Sequence, residues 1–226
     1  MIKTLKAHLS SLAGGAFIGL AGHLSVIASC NFENASAASL IASIVFCIGL
    51  LLVFLTGSKL FTGQIIRYQG CESLKDVLNV SGSLVISFIG NLIGSVALVM
   101  LFYHGLPKIA NTTSALMAAT AAIKCAQAPF QAFLSAIICN MCVLGAVALR
   151  QRGTHMVASL LPVAAFVMLG AEHIVADFTY FSYGIMYKTV DFATVLPFAA
   201  CVALGNLVGG LVIVMVCRHS GKQNAR

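Results

Sequence analysis

The chain has 226 residues, 60% of them hydrophobic and only 8% charged, against about 25% charged in a soluble globular domain. So few ionisable groups cannot cover a water-facing surface, which excludes a soluble enzyme or binding module. Thirteen Lys and Arg against six Asp and Glu raise the question of a nucleic-acid partner, which the placement of the charges answers.

In chain order, the first apolar stretch, 12–30, holds His23 and ends in Ile27-Ala28-Ser29-Cys30. A basic start followed by such a stretch resembles a lipoprotein signal. Its length, the internal His23 and five further apolar segments favour a retained first span. The second span, 37–56, stops at Thr56-Gly57-Ser58-Lys59-Leu60-Phe61-Thr62-Gly63 and resumes over 62–68. The third, 77–103, carries no charge and contains Gly90-Asn91-Leu92-Ile93-Gly94. A loop with Lys108 leads to Lys124, which stands at the edge of the fourth span, 125–149. That span contains Asn140 and a mid-membrane Cys139-x-x-Cys142 read as packing, since a buried thiol behaves as a small apolar group. The fifth span, 156–178, encloses Glu172, His173 and Asp177, and the sixth, 192–217, contains Gly205-Asn206-Leu207-Val208-Gly209. Each stretch is near the roughly 20 residues that cross a bilayer as a helix. Together they use up the chain, predicting one all-α membrane domain over 1–226 with six transmembrane helices.

With the N-terminus inside, Lys3, Lys6, Arg67, Lys75, Arg150, Arg152, Arg218, Lys222 and Arg226 all face inward, and Lys108 and Lys188 face outward. This is the positive-inside pattern. The basic excess therefore reports topology and predicts cytoplasmic termini, with no nucleic-acid partner.

The Gly-Asn-Leu motif recurs 115 residues on. The third span runs outward and the sixth inward, which predicts an inverted three-helix repeat, a plan common among transporters and channels. At the same offset Thr62 falls opposite Asp177, so the broken second and fifth helices correspond. Non-helical backbone at that depth is tolerated only where protein buries it or water wets it. The two breaks are expected to meet at a pathway.

An ionisable group inside a span usually serves such a pathway. His173 either binds an anion or lends it a proton, or it is a neutral core histidine satisfying carbonyls freed by the break. Glu172 and Asp177 are either pathway acids or groups that cap the broken ends or pair with a base. Lys124, 16 residues before Asn140, is either a snorkelling anchor or a vestibule charge that concentrates anions. Asn91 and Asn206, within small-xxx-small motifs, are expected to bond across helices. Asn140 has no such motif and is the better pore candidate.

The ordered set Gly14-Gly15-Ala16-Phe17-Ile18-Gly19, Leu60-Phe61-Thr62-Gly63, Gly90-Asn91-Leu92-Ile93-Gly94, Cys139-Asn140, Glu172-His173 and Gly205-Asn206-Leu207-Val208-Gly209-Gly210 resembles the formate/nitrite transporter family over nearly the whole chain. The resemblance implies an aquaporin-like fold and a homopentamer in the bacterial inner membrane, each protomer with its own pore. It implies a channel for small weak-acid anions (formate, nitrite or hydrosulfide), no enzymatic activity, no cofactor and no metal. His173 with Thr62 becomes the central polar pair, Lys124 the vestibule lysine and Asn140 the pore asparagine. Leu50 and Phe61 map to an inner apolar constriction, Phe46 and Phe166 to an outer one. The family's pattern carries Asn where this chain has Asp177, and selectivity is the property that this departure touches. The chain is also short at both ends, so gating by an N-terminal helix is not expected.

Two other functions share parts of this pattern. A neutral-solute channel of the aquaporin type shares six spans and an inverted repeat but carries paired Asn-Pro-Ala boxes, and none occurs here. A membrane enzyme or metal carrier using Glu172, His173 and Asp177 would draw three ligands from one short segment, a poor site.

Overall fold

The computed structural model describes residues 2–223, with side chains over 6–219. Lys3, Lys222 and Arg226, counted above among the inward charges, lie outside the described side chains. Among the described residues there are nine α-helices and no strand. They are α1 (Ile2–Ser29), α2 (Ala35–Thr56), α3 (Phe61–Gln64) continuing into a 3-10 segment (Ile65–Gly70), α4 (Leu74–Gly105), α5 (Pro107–Cys125), α6 (Pro129–Gln151), α7 (Met156–Met168), α8 (Ile174–Met186) and α9 (Phe192–Gln223). By length and composition, α1, α2, α4, α6 and α9 each hold a segment able to cross a bilayer, and α7 is apolar but shorter. Their outward faces are apolar: Leu101, Leu161 and Leu196 are all largely exposed, Leu196 by 72%. A water-facing surface would carry charges at such positions. These belong in lipid, and the protein is an integral membrane protein.

The small residues of the repeated motif set the helix packing. α1 lies on α4, and α6 on α9. A Cβ on Gly94 would strike the Leu12 carbonyl, and one on Gly209 the Ile137 carbonyl, so only glycine permits these backbones to approach so closely. The pairs are joined by α2 against α7 and by α4 against α8, while the 3-10 segment packs on α9. α5 was not anticipated; its Thr- and Ala-rich sequence between Lys108 and Lys124 reads as a loop. It is held because Pro107 opens it at a position where no N–H is needed, and because Ala118 and Ala121 are buried in its packing against α8. Its last turn carries Lys124.

His23, noted inside the first span, is fully buried. Its Nδ1 donates to the Gly19 carbonyl at 2.8 Å, which leaves Nε2 to accept from the Tyr183 hydroxyl at 2.8 Å. This histidine ties α1 to α8.

Candidate functional site

Both breaks are built by the same device. α2 ends at Thr56, with Gly57 in the left-handed conformation at φ 68°. α7 ends at Met168, with Gly170 at φ 65°. Ending a helix inside the protein frees backbone groups that water cannot reach. At the first break the Asn91 amide donates to the carbonyls of Ser11 (2.7 Å) and Lys59 (2.8 Å), while its oxygen accepts the Phe61 N–H at 2.8 Å. At the second, the Asn206 amide donates to Ala136 (2.8 Å) and Glu172 (2.9 Å), and its oxygen accepts the Ile174 N–H at 3.0 Å. Each asparagine thus clasps the carbonyl before a helix start and the first N–H within it.

The clasps correct the alignment of the halves. Asn91 lies 30 residues beyond Phe61, whereas Asn206 lies 32 beyond Ile174. The break is therefore offset by two residues relative to the glycine motif. Leu60 corresponds to His173, and Thr62 to Val175 instead of Asp177.

His173 stands at the N-cap of α8, its Nδ1 accepting the Ala176 N–H at 3.3 Å. That bond leaves the ring proton on Nε2, which donates to the Thr62 hydroxyl at 3.0 Å. Both side chains are buried. The helix start of α8 adds the positive end of its dipole near the same place. Thr62 and His173, expected to meet, do so across the two breaks.

Three cavities lie along one path. The first, about 220 Å³, is lined by Lys124, Asp177, Tyr180, Thr120, Ser25 and His173, among others. The second is a chamber of about 10 Å³ between Ile18, Val143, Val163 and His173. The third, about 250 Å³, opens between Arg67, Gln64 and Gln151. Phe46 and Phe166 line both the first and the second, their rings edge to face at 5.9 Å. Leu50 and Leu60 line both the second and the third. Two apolar rings thus enclose the histidine.

Two sequence expectations are redirected here. Phe61 lines none of these cavities and packs edge to face on Phe88. Leu60, one residue earlier and still extended at the N-cap of α3, holds the inner position beside Leu50. Asn140 also lines none of these three cavities. It is fully buried, its amide donating to the Asn206 carbonyl at 2.6 Å. It braces the second clasp, and its side-chain oxygen has no hydrogen-bond partner among the described residues.

Lys124 does face the first cavity, but it is paired. Its ammonium lies 2.7 Å from Glu172 and 3.0 Å from Asp177, and 5.6 Å from the centre of the Tyr180 ring. Glu172 also accepts from the Gln127 amide at 2.7 Å, and its backbone N–H reaches Ser135. The carboxylates turn to Lys124 while His173 turns to Thr62. Among the described residues no His, Cys, Asp and Glu converge as a metal site would require. Sequence reasoning missed Leu60, Gln127 and Tyr180. Tyr180 could have been found, since it follows Asp177 by three residues and so shares its helix face.

The sequence pattern of the formate/nitrite transporter family matches residues 1–220. The chain is 27% identical over 214 residues to the nitrite transporter NirC of Escherichia coli, covering 91% of this chain and 80% of that one. It is 31% identical over 235 residues to the uncharacterized transporter YrhG of Bacillus subtilis, covering 94% and 85%. Its fold is similar to that of a pentameric formate channel with formate bound, at a TM-score of 0.84, 25% identity and 94% coverage of each chain. A family match across almost the whole length, with the fold to go with it, leads to one conclusion: this chain belongs to the formate/nitrite transporter family.

Proposed function

We propose that each protomer carries small monovalent weak-acid anions of the formate and nitrite type, hydrosulfide included, along the path through its three cavities. The protein is a transport protein and not an enzyme, as its family indicates, and the neutral-solute alternative is not favoured. The observation that carries the reading is His173, held by Thr62 and the Ala176 N–H in a small chamber between two apolar rings. Shedding water at such a ring is costly for an isolated charge. A polar group immediately beyond it replaces part of the lost hydration.

In the resting arrangement the Thr62 oxygen accepts a hydrogen bond from the Nε2–H of His173. An anion in the chamber competes for that proton, and the released Thr62 hydroxyl offers a second donor. The ion is then held by two donors at the narrowest point, and sharing the imidazole proton lets it cross close to neutral. Lys124, with its carboxylates, sets the potential at one mouth, and Arg67 lies at the other.

The same reading includes six passages through the bilayer, over roughly 12–30, 37–56 with 62–68, 77–103, 125–149, 156–178 and 192–217. Their two halves are inserted oppositely. The end bearing Arg67, Arg150 and Arg218 lies in the cytoplasm with both termini, as the positive-inside rule favours, in a bacterial plasma membrane. The pentameric relative supports a homopentamer with a pore in each protomer.

Uptake of formate, nitrite and hydrosulfide into proteoliposomes over a range of pH tests the proposal. His173→Phe keeps an aromatic ring and removes both nitrogens, and uptake should fall roughly a hundredfold, the upper part of what a positioned proton-sharing group contributes. Undiminished uptake with the same pH profile would sink the central role of His173.

A further inference from the structure

The cluster at the first cavity is one cation against two carboxylates, and the two are held unequally. Glu172 has Lys124 at 2.7 Å and the Gln127 amide at 2.7 Å. Asp177 meets the same ammonium at 3.0 Å, but off the line of a hydrogen bond. Neither of its oxygens has a hydrogen-bond donor among the described residues, although the residue is only 1% exposed. Asp177 lines the cavity and Glu172 does not. A buried carboxylate without a donor, in the lining of the cavity, is the member of this cluster best placed to take up a proton.

The other groups around it do not supply the missing charge. From α5 come Lys124, Cys125 and Thr120, and from the second break Glu172 and His173. α6 brings Cys139 within electrostatic reach. α8 adds Tyr180, α1 gives Ser25 and Ser29, and α2 gives Phe46 and Ala42. α4 presents Ser95, which binds the Gly15 and Val175 carbonyls. α7 contributes only Phe166 and Val167. Among the described residues Lys124 is the single fixed cation at this cavity. With both acids ionised the mouth carries a formal charge of −1, and with a proton on Asp177 it is neutral.

We propose that Asp177 is the proton acceptor that makes anion admission at the Lys124 mouth depend on acidity. Ionised, it cancels the attraction of Lys124 and repels an incoming anion. Protonated by water in the cavity, it removes that repulsion and presents an O–H donor to the anion beside His173. The mouth thereby stops repelling anions only when protons are abundant on that side. This deepens the transport reading above and rests on it.

The test is uptake of formate and of nitrite by the full-length protein in proteoliposomes, wild type against Asp177→Asn, from about pH 5 to about pH 8. The amide is the uncharged shape of the carboxyl. At the alkaline end the variant should transport faster, by roughly tenfold for the removal of one repelling charge at a cleft. Its rate should then lack the part of the acid response that Asp177 supplies, whereas wild type should rise more steeply on acidification. Added inert salt should speed wild type near neutrality by screening the repulsion and leave the variant unchanged.

A variant with the wild-type rate and profile overturns the proposal. So does one that is slow at every pH, because Asp177 would then serve only to hold Lys124. Should Asp177→Asn fail to fold, wild type alone decides, and a salt effect that is absent or inhibitory overturns it. Wild type that carries neither anion at any pH brings down the transport reading and this one with it.

Discussion

At the first break Asn91 clasps Lys59 and Phe61; at the second Asn206 clasps Glu172 and Ile174. The backbone arrangement is shared, and the side chains it presents are not. Leu60 occupies the N-cap position of the first break and His173 that of the second, so one half supplies an apolar ring where the other supplies the polar centre. The residue ahead of each is ionisable and gives its carbonyl to the clasp, and Glu172 in addition faces Lys124 with its side chain. The comparison separates two tasks. The asparagines solve a backbone problem common to both halves, and the neighbouring residues are then free to diverge in chemistry.

If the clasps are equivalent, breaking them should have equivalent consequences for stability. Asn91→Ala and Asn206→Ala each orphan one carbonyl (Lys59 or Glu172) and one N–H (Phe61 or Ile174) in the interior, and each also removes a second bond to a helix carbonyl. At about 1–3 kcal/mol for each of the two unsatisfied groups, both variants should lose roughly 2–6 kcal/mol. Thermal unfolding in detergent, or the yield of folded protein, measures this. A loss in only one variant would end the equivalence.

The next test exploits the difference between adjacent residues at the first break. Phe61 packs on Phe88, and Leu60 faces the path between two cavities. Phe61→Ala should destabilise the protein by about 3 kcal/mol through the hole it leaves, with the order of preference among anions unchanged. Leu60→Ala should be milder in stability and should admit larger anions such as acetate or lactate. Unfolding curves and competition for uptake distinguish the two. Widened selectivity from Phe61→Ala alone would return the inner ring to that residue.

What was legible in the sequence follows the same division. The repeated Gly-Asn-Leu motif and the broken spans could be read because close helix packing and freed backbone groups each demand particular residues, Gly90 and Asn91 in one half, Gly205 and Asn206 in the other. The meeting of Thr62 with His173 followed from that scaffold. Side-chain direction did not. Leu60 and Phe61 are equally apolar, and only the extended backbone at Leu60 decides which one turns to the path. Asn140 is as polar as any pore residue, but its amide was claimed by the Asn206 carbonyl, a contact 66 residues distant. The pairing of Lys124 with Glu172 and Asp177 depends on α5, whose mixed composition hid it as a helix.

The smallest expected effect tests whether the two breaks act together or merely adjoin. In the resting arrangement Thr62 lines none of the three cavities and is bonded to His173, which lines two of them. Thr62→Val is close to it in shape and lacks the hydroxyl, so the Nε2 proton of His173 loses its resting acceptor. Folding should be affected by no more than about 1 kcal/mol, the net worth of one such hydrogen bond. Uptake of formate or nitrite should fall by roughly tenfold, since about 1.4 kcal/mol of barrier is a factor of ten and one donor to the anion is gone. Thr62→Ser, which keeps the hydroxyl, should restore most of the rate. If Val and Ser behave alike, the contact between the breaks is packing, and His173 works without help from the first half.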